Sequence, residues 1–271
     1  MAPMDSAVTW DPAQYAQFAG ARLRPAIDLL AQVALESPHH VCDLGCGSGE
    51  ATRMIASRWP QAEVTGTDWS AEMLEVAAAT PSRIRWQHRD VREWEPPAPV
   101  VLIYSHALFH WIPDHDNLLR KLAGFLTPRG VLAIQMPLSW HGPSHRLMRE
   151  VLATGGPEST PLGSAELRAR MNTQPVSTPA HYHDLLAPAF RHVNIWETRY
   201  LQVLRGMDPV LEWVSGTALR PILEGLDEAD LERFLRVYRA ELRTAYPTQP
   251  SGVTLFPFPR LFIVATRGST N

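Results

Sequence analysis

Through the first 155 residues, short continuous apolar runs alternate with stretches whose apolar positions recur every three or four residues. The first kind reads as strand and the second as amphipathic helix. Strands are expected at Val41-Cys-Asp-Leu44, Glu63 to Thr67, Ile84 to His88, Val100 to Tyr104 and Gly130 to Gln135, the last after a Thr-Pro-Arg-Gly turn. Helices are expected between them at Glu50 to Trp59, Ala71 to Ala79 and His115 to Leu126. Strands separated by helices specify a parallel, doubly wound α/β sheet. Residues Gly155 to Pro179, rich in Pro, Gly, Ser and Thr, break the alternation and read as a mobile flap. Beyond them the pattern gives a short helix at His181 to Leu186, a strand at His192 to Thr198, a helical stretch from Asp208 to Tyr246 and a last strand at Leu261 to Ala265. The expected organisation is an N-terminal helical segment (1–34), a core of alternating strands and helices (35–155), a flap, sixth strand and helical lid (156–259), and a final core strand with its tail (260–271). There are no internal repeats.

The turn after the first strand carries the chemistry. Gly45, Gly47 and Gly49 alternate in Asp43-Leu-Gly-Cys-Gly-Ser-Gly49 and open into a helix. Glycine is needed where φ is positive or where backbone must lie against a ligand. A dinucleotide loop has a third small residue where this chain has Glu50, and a carboxylate there repels phosphates. Asp43 before the glycines suits an ammonium group instead. This loop resembles the first motif of the seven-stranded S-adenosylmethionine-dependent methyltransferases, which implies a seven-stranded Rossmann-like class I fold and S-adenosyl-L-methionine as cofactor. Asp68, at the tip of the second strand, is positioned to accept the ribose hydroxyls, with Ser70 as helix N-cap. Asp90 follows the third strand, where a carboxylate can accept from the adenine amino group. Ser105-His-Ala-Leu-Phe-His-Trp111 forms the loop at the carboxyl edge of the fourth strand, where ligands of open α/β sheets bind. The expected cofactor set is Asp43, Gly45, Gly47, Gly49, Asp68, Trp69, Met73, Asp90, Val91, Ser105, His106 and Trp111, joined by Tyr15 and Arg22 from the N-terminal segment.

Composition narrows the partners. Of 271 residues 45% are apolar, enough for a full core, and a net charge of -3 with interspersed signs gives no basic stripe for nucleic acid. No apolar run approaches the ~20 residues that span a bilayer, and no leader pattern opens the chain, so a cytoplasmic soluble protein is expected. The two cysteines, Cys42 and Cys46, both lie in the cofactor loop and read as small reduced residues rather than as a disulfide or metal ligands. Oligomeric state is not legible.

Motifs outside the loop narrow the family. Trp10-x-Pro-x-x-Tyr15-x-x-Phe18, Arg22-x-Arg-Pro-Ala26, Trp111-Ile-Pro-Asp-His115, Gly130 to Pro137 with Trp140, Leu147-Met-Arg-Glu150, Trp213-Val with Leu219-Arg-Pro221, and Phe258 to Ala265 together resemble the trans-aconitate 2-methyltransferase family. The resemblance implies transfer of a methyl group to a carboxylate of trans-aconitate. A carboxylate has a reference pKa near 4, is ionised at pH 7, and needs no general base. Catalysis would then rest on positioning and exclusion of water, with no catalytic side chain. A polycarboxylate calls for arginines, whose planar fork pairs bidentately with carboxylates. Arg220 and Arg260 are the expected cations, with Trp140, Tyr182, His106 and His183 as further acceptor-site residues. The chain departs from the family pattern at His106, where the family commonly has Asn, at His110, where it has Gln, and at His183, often Tyr. Two alternatives therefore stay open: another small carboxylic acid as acceptor, or cofactor binding without methyl transfer.

Overall fold

In a computed structural model that describes residues 19–269, the regular elements form one seven-stranded sheet with flanking helices. In chain order they begin with α1 (Ala19–Ala31), β1 (His40–Leu44), α2 (Glu50–Arg58), β2 (Glu63–Asp68), α3 (Ala71–Ala78), β3 (Arg85–His88), β4 (Val100–His106), α4 (His115–Gly124) and β5 (Leu126–Pro137). They continue with α5 (Pro143–Thr154), α6 (Ala165–Met171), α7 (Pro179–Leu186), β6 (His192–Leu204), α8 (Pro209–Ser215), α9 (Arg220–Gly225), α10 (Glu228–Ala245) and β7 (Thr254–Thr266). The strand order is β3-β2-β1-β4-β5-β7-β6. Strands β1 to β5 pair in parallel and β7 runs antiparallel to β5. The winding reverses between β1 and β4, and the crevice at such a switch point is where α/β sheets bind ligands.

The chain divides into two compact units. The larger comprises residues 19–137, 175–198 and the segment from Arg260 onward, and it contains the parallel sheet. Central strands are covered on both faces and accordingly read as unbroken apolar runs: Leu102, Ile103 and Tyr104 of β4, and Leu132, Ala133 and Ile134 of β5, are fully buried. The Tyr104 hydroxyl donates to the Ala26 carbonyl at 2.7 Å, which ties α1 to the sheet. A second anchor fixes α7: His115 Nε2 lies 2.7 Å from the Phe109 carbonyl and its Nδ1 2.5 Å from the Tyr182 hydroxyl, which also accepts from the Ser177 N–H at 3.1 Å. The carbonyl can only accept, so the proton sits on Nε2 and Nδ1 accepts from Tyr182.

The smaller unit comprises residues 138–174 and 199–259. Helix α5 was not anticipated as a helix. It buries Leu147, Met148, Val151 and Leu152, one stripe at helical spacing, and packs on α10. Tyr238 donates to the Ser144 carbonyl and Ser144 N–H donates to Tyr246, both at 3.0 Å, pinning the start of α5 to α10. Trp213, Tyr246, Phe256 and Phe258 form an aromatic cluster with centroid separations of 5.3–5.9 Å.

Two expectations change and one is refined. The stretch read as a flap contains α6, capped by Ser164, whose hydroxyl accepts from Leu167 N–H at 3.1 Å; Leu162, Leu167 and Val176 are buried. Its composition reflects tight turns between packed segments. The Asp208-to-Tyr246 stretch is three helices, the last opened by Asp227, which accepts from Asp230 N–H at 2.9 Å. The Thr-Pro-Arg-Gly turn is absorbed into β5, where the pairing with β4 is irregular between Val100 and Leu102 and Arg129 has φ +61°. No helix among the described residues is long and apolar enough to cross a membrane.

Candidate active site

The site is built at the carboxyl ends of β1, β2, β4 and β5, with Arg260 of the antiparallel β7 beside the end of β5, and these residues all belong to the larger unit. Gly45, Gly47 and Gly49 have φ of +73°, +53° and +84°. Each plays a different part. A Cβ at Gly45 would stand 2.8 Å from Leu108, and one at Gly49 would stand 2.5 Å from the Trp86 ring, so these two permit close packing. A Cβ at Gly47 would meet nothing within 4 Å among the described residues, so that side of its backbone is open, as a loop against a ligand must be. Exchanging Gly49 for Ala would combine a left-handed backbone with a ring overlap, and Gly49→Ala is expected to destabilise the protein by about 2 kcal/mol or more, read as a lower midpoint in denaturant.

Two buried carboxylates flank the loop. Asp43 on β1 is 1% exposed and accepts the Thr52 hydroxyl at 2.6 Å, its one hydrogen bond among the described residues. Burial pushes its pKa up to about 7; the Thr52 bond opposes the rise and the neighbouring Asp68 charge adds to it. Asp68 accepts from Gly47 N–H at 2.8 Å through one oxygen and from Ser70 N–H at 2.9 Å through the other. Burial raises its pKa, opposed by those backbone bonds. The Asp-x-Ser turn is thus real, with Ser70 Oγ capping α3 through Met73 N–H at 3.2 Å. The same carboxylate also ties the glycine loop to β2. Each of its oxygens has a second acceptor direction, so the ribose reading stands beside the structural one.

The remaining expected cofactor residues fall into three groups. Met73 and Val91 are buried, and Trp69 and Trp111 are partly exposed, Trp111 lying 4.7 Å from the His110 ring. Ser105 spends its hydroxyl on the Leu44 carbonyl at 2.9 Å, joining the tips of β4 and β1. Asp90 is engaged by Arg92, whose Nε lies 2.9–3.0 Å from both oxygens and whose Nη2 reaches one of them. Burial acts to raise its pKa, but the Arg92 hydrogen bonds and charge outweigh it and hold the carboxyl below its usual range. Tyr15 lies outside the described residues, as does the Arg22 side chain.

On the other side of β4, three polar side chains share one face. His106 at the end of β4 is paired with Gln135 of β5, and Arg260 of β7 with Pro137, two residues along from Gln135. Residues paired across a ladder, and those two apart on a strand, point to the same face. Gln135 is 0% exposed and Arg260 5% exposed, and Arg260 Nη1 lies 3.4 Å from Gln135 Oε1. Burial, and then the charge of Arg260, pull the His106 pKa down to about 3. At neutral pH the imidazole is therefore uncharged, and the three side chains together carry one positive charge. Ala107, next to His106, has φ +56°, a strained conformation for a non-glycine residue, held by its N–H bond of 2.9 Å to the Gln135 carbonyl.

The other expected acceptor residues are not in this group. Tyr182 is fully buried and its hydroxyl is committed to His115 and Ser177, which makes it an anchor for α7. His183, on the next position of the same helix, is exposed, with Nδ1 3.5 Å from Asp184. Arg220 and Trp140 belong to the smaller unit: Arg220 pairs with Glu224 one turn along α9 at 3.5 Å, and the Arg149 guanidinium lies 3.8 Å from the Trp140 ring centroid. Gln135 was missed in the sequence. Its signal was a lone amide inside the apolar run Val131-Leu-Ala-Ile-Gln-Met136. Thr52, the partner of Asp43, had no signal, because a threonine in the first turn of a helix is unremarkable.

Comparison with known proteins places this arrangement. Residues 41–130 match a model described as a methyltransferase domain. The chain is 48% identical to the trans-aconitate 2-methyltransferase of Azoarcus sp. (strain BH72) over 96% of its own length and 99% of that protein's. It is 43% identical to the trans-aconitate 2-methyltransferase of Methylobacterium radiotolerans, again over 96% and 99% of the two chains. Among solved structures, the YcgJ protein from Bacillus subtilis superposes with a TM-score of 0.58 at 13% identity, over 91% of this chain and 100% of that one, a likeness of fold. Phosphoethanolamine N-methyltransferase 2 of Haemonchus contortus, solved with S-adenosylhomocysteine, gives 0.53 at 16% identity over 91% of this chain and 53% of that one. With near-half identity over almost the whole length, the chain belongs to the trans-aconitate 2-methyltransferase family.

Proposed function

We propose that this enzyme uses S-adenosyl-L-methionine to methylate a carboxylate of trans-aconitate, giving a monomethyl ester and S-adenosyl-L-homocysteine. The observation that carries the reading beyond cofactor chemistry is the buried Arg260, held with Gln135 and His106 at the same sheet edge as the glycine loop. A guanidinium beside a side-chain amide on one sheet face offers the forked donors that a carboxylate acceptor fits. The glycine loop fits the cofactor because its backbone at Gly47 is uncovered and Asp43 and Asp68 offer acceptors on either side. When bound, S-adenosyl-L-methionine supplies an electrophilic methyl group on a sulfonium.

What the chain supplies is placement. Gly47 lays its backbone along the cofactor, Gly45 and Gly49 let the turn pack tightly behind it, Asp43 receives the ammonium group, and Asp68 receives the ribose hydroxyls. Asp90 and Val91 stand at the adenine end. Arg260 holds an acceptor carboxylate, and the apolar surroundings exclude water. No side chain needs to take a proton, since the attacking carboxylate is already ionised. The acceptor roles of Arg220, Trp140 and His183 rest on the sequence resemblance. The physiological compartment expected from the sequence is the cytoplasm.

The direct test is to incubate the enzyme with methyl-labelled S-adenosyl-L-methionine and a panel of trans-aconitate, cis-aconitate, citrate, isocitrate and monocarboxylic acids, and to count base-labile ester. Strong preference for trans-aconitate is expected. Label on another acid reassigns the acceptor, and cofactor binding with no ester on any acid removes the methyl-transfer reading.

The raised pKa of Asp43 adds a pH dependence. Folded, this carboxyl holds its proton up to about 7 rather than the 3.8 of the free group. The ligand-free protein therefore loses stability from this group as pH rises through that window. A bound ammonium favours the ionised carboxylate, so cofactor affinity should fall as pH drops below about 7, approaching tenfold per unit. Titration calorimetry between pH 5.5 and 7 checks the slope, and Asp43→Asn should flatten it.

A further inference from the structure

We propose that Gln135 is a specificity residue of the acceptor site: its amide N–H group, together with the His106 imidazole and the Arg260 guanidinium, forms a cradle for one acceptor carboxylate that is not itself methylated. This rests on the polycarboxylate reading above and adds to it a residue, a role and a discrimination.

The amide orientation follows from chemistry. A guanidinium carries only donors, so the Gln135 atom facing Arg260 Nη1 at 3.4 Å is the oxygen. The amide nitrogen is then turned the other way. It is buried, and among the described residues neither it nor His106 Nε2 has a hydrogen-bond partner. Both lie on one face of adjacent strands, at register positions paired with each other. A buried unpaired amide N–H group is rare in native proteins and calls for an explanation. In an apolar strand such as β5, leucine would fill the same volume without that cost. An anion brought in as substrate supplies the missing acceptor.

The charge of the group selects the anion. His106 and Gln135 are neutral and Arg260 is the one cation of the three, a donor set that suits a carboxylate. Two oxygens of that carboxylate offer enough lone pairs for guanidinium, amide and imidazole donors together. Such a carboxylate is a poor nucleophile, because its electron density is drawn toward three donors. The cradle therefore suits an anchoring carboxylate and leaves another carboxylate of the same molecule to attack the methyl group. It follows that acceptors need at least two carboxylates, and that a monocarboxylic acid enters without productive orientation.

The experiment is equilibrium titration of trans-aconitate, and separately of a monocarboxylic acid of similar length, into enzyme saturated with S-adenosyl-L-homocysteine. Wild type, Gln135→Leu and Gln135→Glu are compared, and kcat and KM are measured in parallel. Gln135→Leu should weaken trans-aconitate binding about 10- to 100-fold and raise its KM correspondingly, with S-adenosyl-L-homocysteine affinity within about twofold of wild type. Gln135→Glu keeps the volume and a contact for Arg260, so it guards against a packing defect; it should weaken trans-aconitate further. Preference for trans-aconitate over the monocarboxylic acid should collapse in both variants. Unchanged trans-aconitate affinity in Gln135→Leu overturns the proposal, as does equal loss of both ligands in both variants, which marks a structural role. Should wild type bind trans-aconitate yet form no ester, methyl transfer falls and the same titrations still decide the cradle. Absence of any polycarboxylate binding by wild type overturns both.

Discussion

Arg260→Ala is expected to raise the KM for the acceptor by two to three orders of magnitude while leaving cofactor affinity within about twofold of wild type. The guanidinium is almost wholly buried, so its interaction with an acceptor carboxylate is little screened by solvent. Removing one member of a buried, hydrogen-bonded charge pair costs about 2–5 kcal/mol, and each ~1.4 kcal/mol is a factor of ten. Arg260→Lys should recover only part of the loss, since an ammonium keeps the charge but not the planar fork. The measurement is a pair of saturation curves, one in each substrate. Equal damage to both would place Arg260 in the framework of β5 and β7 and remove it from the acceptor site.

The second large effect is expected at Asp68. Its carboxylate holds Gly47 N–H of the glycine loop and Ser70 N–H before α3, so truncation to alanine leaves two backbone donors unmet as well as removing the acceptors proposed for the ribose. Unmet buried donors cost about 1–3 kcal/mol each, and Asp68→Ala should weaken S-adenosyl-L-homocysteine binding by on the order of 100-fold or more. Asp68→Asn separates the two roles. It retains one oxygen for the backbone and puts an NH2 group where the other stood, so it should bind the cofactor with intermediate affinity. Fluorescence or calorimetric titration of the three proteins decides between them; full affinity in Asp68→Ala would leave Asp68 as a turn residue only.

Much of this was legible in the chain because local chemistry decided it. The glycines at 45, 47 and 49 sit at positive φ, and Gly45 and Gly49 sit where a side chain would collide. Ser70 caps the helix it precedes because an N-cap bond spans only three residues. The apolar run at 100–104 is typical of a central parallel strand, because a strand covered on both faces has no polar side to alternate with. The N-cap Asp227 is equally local: its side chain accepts from Asp230 N–H and opens the longest of the three helices in the Asp208-to-Tyr246 stretch.

What the sequence by itself determined was the glycine turn after β1, the acids beside it and the family, since each depends on residues close together or on motifs read in order. Only the tertiary structure decided which polar residues share a site. Gln135 and Arg260 are 125 residues apart and meet because β7 lies antiparallel beside β5. His106 joins them because β4 pairs with β5 in register, and its neutral state follows from burial beside Arg260. Tyr182 and His183, adjacent in the chain, part company for the same reason: a helix turns consecutive side chains by about 100°. One is sealed against His115 and the other faces solvent. Long-range register and burial are properties of the folded sheet, and no local pattern encodes them.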